Sequence, residues 1–110
     1  MKNDQKPEKI DVTKIEITTE EPYPPNLVVT AYGIAPTGGW GPTKLDRVEY
    51  IEPPSDGIWD YVFTSIRPSP DMVVTQAEEE ISDQDKWHDY DTENLKGVRI
   101  NGVEKLLGCP

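Results

Sequence analysis

The chain has 110 residues, enough for one domain with one modest core, and only 35% of them are apolar. Acidic residues outnumber basic ones 21 to 11, a formal net charge of −10, so the scattered lysines and arginines do not make the basic patch that nucleic acid or an anionic membrane surface requires. A single cysteine, Cys109, excludes an intrachain disulfide and a cysteine zinc site.

Residues 1–9, MKNDQKPEK, are polar, charged and aperiodic and read as a flexible tail; residues 10–110 read as a single domain. In KIDVTKIEIT, Ile10 and Val12 share one parity and Ile15 and Ile17 the other, which predicts a strand with a bulge near Thr13 and Lys14. NLVVTAYGI is the second strand, after the breaker EPYPPN, and LDRVEYIE the third, after the loop APTGGWGP. GIWDYVFTSI, with Trp59, Tyr61 and Phe63 on one parity, is the most β-prone segment. DMVVTQAEEEI and KGVRINGVEKLL complete six expected strands, and Asn101-Gly102 is the favoured pair for a type I′ hairpin turn.

Eleven prolines exclude a helical bundle, and short strands separated by Pro and Gly predict an all-β fold: an antiparallel β-sandwich, immunoglobulin-like, with a small β-barrel as the alternative. Residues 76–94, QAEEEISDQDKWHDYDTEN, hold eight carboxylates against Lys86 and read as an acidic loop that carries most of the net charge.

The series AYGIAPTGGW, YIEPPSDGIWDYVF and LKGVRING resembles a group of small bacterial proteins with a PTGGW turn and a PPxDGIWDY strand, over roughly residues 28–103. The resemblance implies a compact β domain and brings no activity, cofactor or site residue. Several such proteins look exported. This sequence shows no apolar run of membrane-span length and no signal-like amino terminus, so as written it reads as cytoplasmic; were Met1 a replacement for a removed leader, the protein would be periplasmic or secreted.

Catalysis is not expected. No phosphate-cradle motif surrounds Gly38-Gly39-Trp40-Gly41, and the only histidine, His88, stands among carboxylates on an expected loop and reads as a solvated surface residue. Asp89, Asp91 and Glu93 alternate like the opening ligands of a calcium loop, but Asn94 occupies the glycine position and Ile100 the twelfth. An EF-hand is therefore excluded, and only a weak, irregular calcium site shared with Asp83 or Asp85 is left beside the reading of a solvated loop.

Trp40, at the tip of a glycine turn, reads as a plug for the open end of the core, the alternative being an exposed stacking platform for a sugar, flanked by Tyr32 or Tyr50. Trp59 reads as core packing. Glu78, Glu79, Glu80 and Trp87 are the candidate contacts for a basic protein partner, Trp87 reading alternatively as an anchor of the acidic loop to the core. The functional expectation is a monomeric, non-enzymatic interaction or structural module without a cofactor. A glycan or calcium module is the second reading.

Overall fold

The computed structural model describes residues 6–20, 25–88, 90 and 93–107. Eight strands form among them: β1 (Pro7–Lys9), β2 (Val12–Glu20), β3 (Asn26–Ala35), β4 (Thr43–Arg47), β5 (Ile58–Ile66), β6 (Glu79–Trp87), β7 (Gly97–Ile100) and β8 (Val103–Leu106). They make a sandwich of two sheets with no helix and no closed barrel among the described residues. The smaller sheet runs β2-β3-β6. The larger is built on β5, which pairs with β4 along one edge and, along the other, with β7 at Ile58–Tyr61 and β1 at Thr64–Ile66; β8 lies outside β7.

Alternation decides which side chains meet between the sheets. β3 contributes Leu27, Val29 and Ala31, β5 contributes Tyr61 and Phe63, and β7 contributes Val98 and Ile100; Ile15 and Leu45 close the cluster. Phe63 is fully buried at the centre. The bulge expected near Thr13 is present, with the β2–β3 register shifting between Val12 and Lys14. Asn101 and Gly102 have φ of 49° and 90° between the paired residues Ile100 and Val103, the positive-φ pair of a type I′ turn.

Five expectations are corrected. The antiparallel rule fails at one pair, because β7 runs parallel to β5. The tail expected over 1–9 is shorter: Pro7–Lys9 pair with Ile66–Thr64, completing the β5 edge that β7 leaves open beyond Tyr61, while residues 1–5 lie outside the described residues. The acidic loop expected over 76–94 is largely strand, since Glu79–Trp87 pair residue for residue with Ala35–Leu27. Inward positions on β6 hold Asp83 and Asp85 beside Ile81 and Trp87, and these charges hid the alternation. The strand expected over 71–81 accordingly starts only at Glu79, and that over 45–52 is Thr43–Arg47.

Gly33 on β3 marks a close crossing of chain. A Cβ there would stand 2.6 Å from the Asp11 carbonyl oxygen and 2.8 Å from Ile10 Cγ2, where the chain passes from β1 to β2. Gly33→Ala should lower the unfolding free energy by about 1–3 kcal/mol, the usual penalty of overpacking, measured by denaturant titration. An unchanged midpoint would mean that these two segments do not approach as described.

Candidate functional site

The three aromatic residues proposed as one stacking surface are separated by the fold. Tyr32 lies on the outer face of the smaller sheet, where its hydroxyl donates to Glu16 Oε1 at 2.8 Å and Lys14 sits 5.3 Å from its ring centre. The Glu16 hydrogen bond raises the Tyr32 pKa, and the Tyr32 hydroxyl and Lys14 together lower that of Glu16. Tyr50 is at one end of the sandwich and Trp40 at the other; the three line different hollows with no shared residue.

Trp40 is half-buried and packs against the core cluster, with the Arg67 guanidinium 5.1 Å from its ring centre. Arg67 is itself held by two hydrogen bonds to Glu8, at 2.9 and 3.0 Å. The turn that delivers Trp40 is tied at Gly38 N to Thr75 O and at Gly41 N to Ile66 O, both 2.9 Å. Gly39 has φ of 84°, and a Cβ there would come within 2.7 Å of Val74 Cγ1, so position 39 admits no other residue without a shift. Pro36, Trp40, Pro68, Met72 and Val74 line a hollow of about 260 Å³ at this end. Met72 and Val73 project beside it, Val73 98% exposed.

At the opposite end Tyr50, Trp59, Trp87 and Tyr90 form a ladder, with successive ring centres 5.1, 4.9 and 6.3 Å apart. The Trp59 indole NH donates to Val48 O at 2.7 Å. Tyr50 OH donates to Asp60, which raises the Tyr50 pKa, and Arg99 holds Asp60 and Asp56 at 3.4 and 3.5 Å. A hollow of about 360 Å³ opens beside the ladder, lined by Tyr50, Pro53 and Trp59 with Arg47 and Glu49 as its charged groups.

The partner contacts divide into two groups. Glu78, Glu79 and Glu80 are exposed. Trp87 is not: it is buried to 9% exposure, edge-on to Trp59, with the Arg47 guanidinium 4.6 Å from its ring centre, and it anchors β6 to the core instead of presenting a surface. His88 Nδ1 hydrogen-bonds Asn26 Oδ1 at 2.8 Å. Of the calcium candidates, Asp89 and Asp91 lie outside the described residues and Glu93 is exposed. Among the described residues no group of three or more His, Cys, Asp or Glu side chains is placed to hold a metal ion. No helix among them is long and apolar enough to cross a membrane.

Asp83 and Asp85, which in the sequence suggest only possible partners in a calcium site, bind the sheets together. Asp83 Oδ2 accepts the backbone NH of Leu45 at 2.8 Å, and Asp85 Oδ2 accepts from Arg47 Nη1 at 2.6 Å and Tyr61 OH at 2.9 Å. Asp83, Asp85, Leu45 and Arg47 stand where the edge of β4 meets the edge of β6, with Tyr61 reaching across from β5. The alternation of β6 was a signal for this, since it puts both aspartates on the Trp87 side of the strand.

Compared with known proteins, the chain matches no family model, no curated protein and no solved structure.

Burial raises the Tyr61 pKa, reinforced by the charge and hydrogen bond of Asp85. In the unfolded chain this phenol ionises near its ordinary value of 10.0, while in the fold it stays protonated. The unfolded state therefore binds fewer protons above that pH, and the stabilisation, complete below it, is lost as pH rises toward the folded value. Tyr32 and Tyr50 act with the same sign. Denaturant midpoints measured across the alkaline range should fall more gently in Tyr61→Phe than in the parent. Asp85→Ala, which strips Arg47 and Tyr61 of their acceptor, should cost about 1–3 kcal/mol at neutral pH.

Proposed function

We propose that the protein is a non-enzymatic β-sandwich module that works by contact with a basic protein partner. The contact surface is the end of the sandwich that carries Glu78–Glu80 and the Trp40 hollow. One observation carries this reading: Glu78, Glu79 and Glu80 are consecutive, exposed and without an ion pair among the described residues. Lys14, which feels the charge of Glu80, is paired with Glu16, and Arg67, beside the Trp40 hollow, with Glu8.

Continuity along the chain joins the carboxylates to apolar surface. Glu79 pairs with Ala35, the residue before Pro36 on the hollow's wall, and Gln76 lines the same hollow two residues before Glu78. A cationic segment with an apolar side chain at its centre matches such a surface, the charges steering it and the apolar group docking beside Met72 and Val73. The outer strands suit a partner less well. β2 presents the Lys14–Glu16 pair and a bulge, and β8 is four residues long with Glu104 and Lys105, both patterns that discourage strand addition.

A second reading places a small ligand such as a glycan in the hollow beside Tyr50 and Trp59. Its volume of about 360 Å³ and its mixture of aromatic, proline and charged walls support it.

The test is association with a lysine-rich peptide bearing a central leucine, followed at several salt concentrations. The association rate of the Glu78→Gln, Glu79→Gln, Glu80→Gln triple variant should fall about tenfold at low salt with its unfolding midpoint unchanged. Equal rates for parent and variant would end this reading. Quenching of tryptophan fluorescence by an oligosaccharide, abolished in Tyr50→Ala, would move the assignment to the second.

A further inference from the structure

Asn101-Gly102 is the one Asn-Gly pair in the sequence, and Asn101 has a second task besides making the turn. β7 leaves the edge of β5 at Tyr61 and β1 joins it at Thr64, so on this edge no strand pairs with Phe63, whose carbonyl accepts from the Ile10 NH at 3.1 Å while its own NH has no backbone acceptor. The Asn101 carboxamide fills the gap. Its Oδ1 accepts from Phe63 N at 3.2 Å, and its Nδ2 donates to Phe63 O and to Ile10 O, both at 2.8 Å.

We infer that Asn101 is a site of spontaneous deamidation that the folded sheet holds closed and that local opening of the β5 edge makes reactive. Glycine leaves the following backbone nitrogen unshielded, which favours its attack on the asparagine carboxamide. In that reaction the Gly102 nitrogen gives up its proton and bonds to Asn101 Cγ, the Cγ–Nδ2 bond breaks, and Nδ2 takes up a proton and leaves as ammonia. Water then opens the resulting succinimide at either carbonyl, giving aspartate or isoaspartate. Ring closure requires Cγ to turn toward Gly102 N, and three hydrogen bonds direct the carboxamide to Phe63 and Ile10 instead.

The product does not fit the place the amide held. In aspartate an acceptor oxygen replaces Nδ2 and faces the carbonyl oxygens of Phe63 and Ile10, which lose this donor, Phe63 O keeping only the Ile10 NH at 3.1 Å. Isoaspartate also lengthens the backbone within a two-residue turn. Either way β1 and the β7–β8 hairpin lose the group that joins them on β5, and the modification makes a transient opening permanent.

The experiment incubates the full chain at mildly alkaline pH with and without denaturant and follows the peptide containing Asn101 by mass spectrometry, reading the mass gained when ammonia is exchanged for water. Conversion in denaturant should be faster than in the folded protein by at least about tenfold, the factor that local opening sets. Equal rates in the two conditions would overturn the inference. Asn101→Asp, made directly, should unfold at lower denaturant or fail to fold; a variant with the parental midpoint would show that the modified chain fits the gap and would equally overturn it.

Discussion

The carboxylates of Asp83 and Asp85 stand on the inner side of β6, a position that alternation normally gives to apolar side chains, and they fasten the smaller sheet to the larger. Neither could be placed there without partners, because a half-buried carboxylate loses hydration that only hydrogen bonds or opposite charge can replace. Asp83 has the Leu45 NH, and Asp85 has Arg47 and the Tyr61 hydroxyl. The same Arg47 lies over Trp87, so the polar contact and the packing at this end are one unit.

A single rung of the larger sheet shows the constraint from both sides. Leu45 and Phe63 are opposite one another on β4 and β5. At this rung the two residues turn their backbone groups away from each other, as alternate pairs of an antiparallel ladder do, so Leu45 needs a partner on one flank and Phe63 on the other. The Ile10 NH reaches Phe63 O at 3.1 Å, but no strand supplies an acceptor for either NH. Asp83 meets the Leu45 NH and Asn101 the Phe63 NH, two short polar side chains doing what neighbouring carbonyls would do in a wider sheet. A domain of this size with few apolar residues thereby keeps its central rung satisfied with three strands in one sheet and a discontinuous edge in the other. The acidic composition then has two parts: inner aspartates that hold the fold, and the exposed Glu78–Glu80 run, which makes no ion pair among the described residues.

Much of the fold was legible because local rules sufficed. Period-two alternation located β3 and β5, the parity change at Thr13 revealed the bulge, and Asn101-Gly102 named its own turn. What could not be read depends on residues far apart in sequence. Alternation puts Asp83 and Asp85 on the Trp87 side, but nothing local says that this side of so acidic a segment is bonded across the sandwich while Glu78–Glu80 are exposed to water. The whole segment therefore reads as one solvated loop, with Trp87 either its anchor or a surface contact. Likewise Pro7–Lys9 look like a tail until the parallel pairing of β7 with β5 leaves an edge for them to complete. The candidate site was visible only in parts: Trp40 and the glutamates could be named, but not that they share one end of the sandwich, nor that Tyr32 and Tyr50 lie elsewhere.

Amide hydrogen exchange at Leu45, in the parent and in Asp83→Ala, tests most directly whether side chains of β6 close the sandwich in place of a strand. Leu45 NH lies on the free edge of β4 and has no backbone acceptor there. The account predicts slow exchange at Leu45 in the parent and its selective loss in the variant, with Lys44 and Asp46, whose amides face β5, unaffected. Exchange at Leu45 in the parent as fast as that of an open edge amide would contradict it.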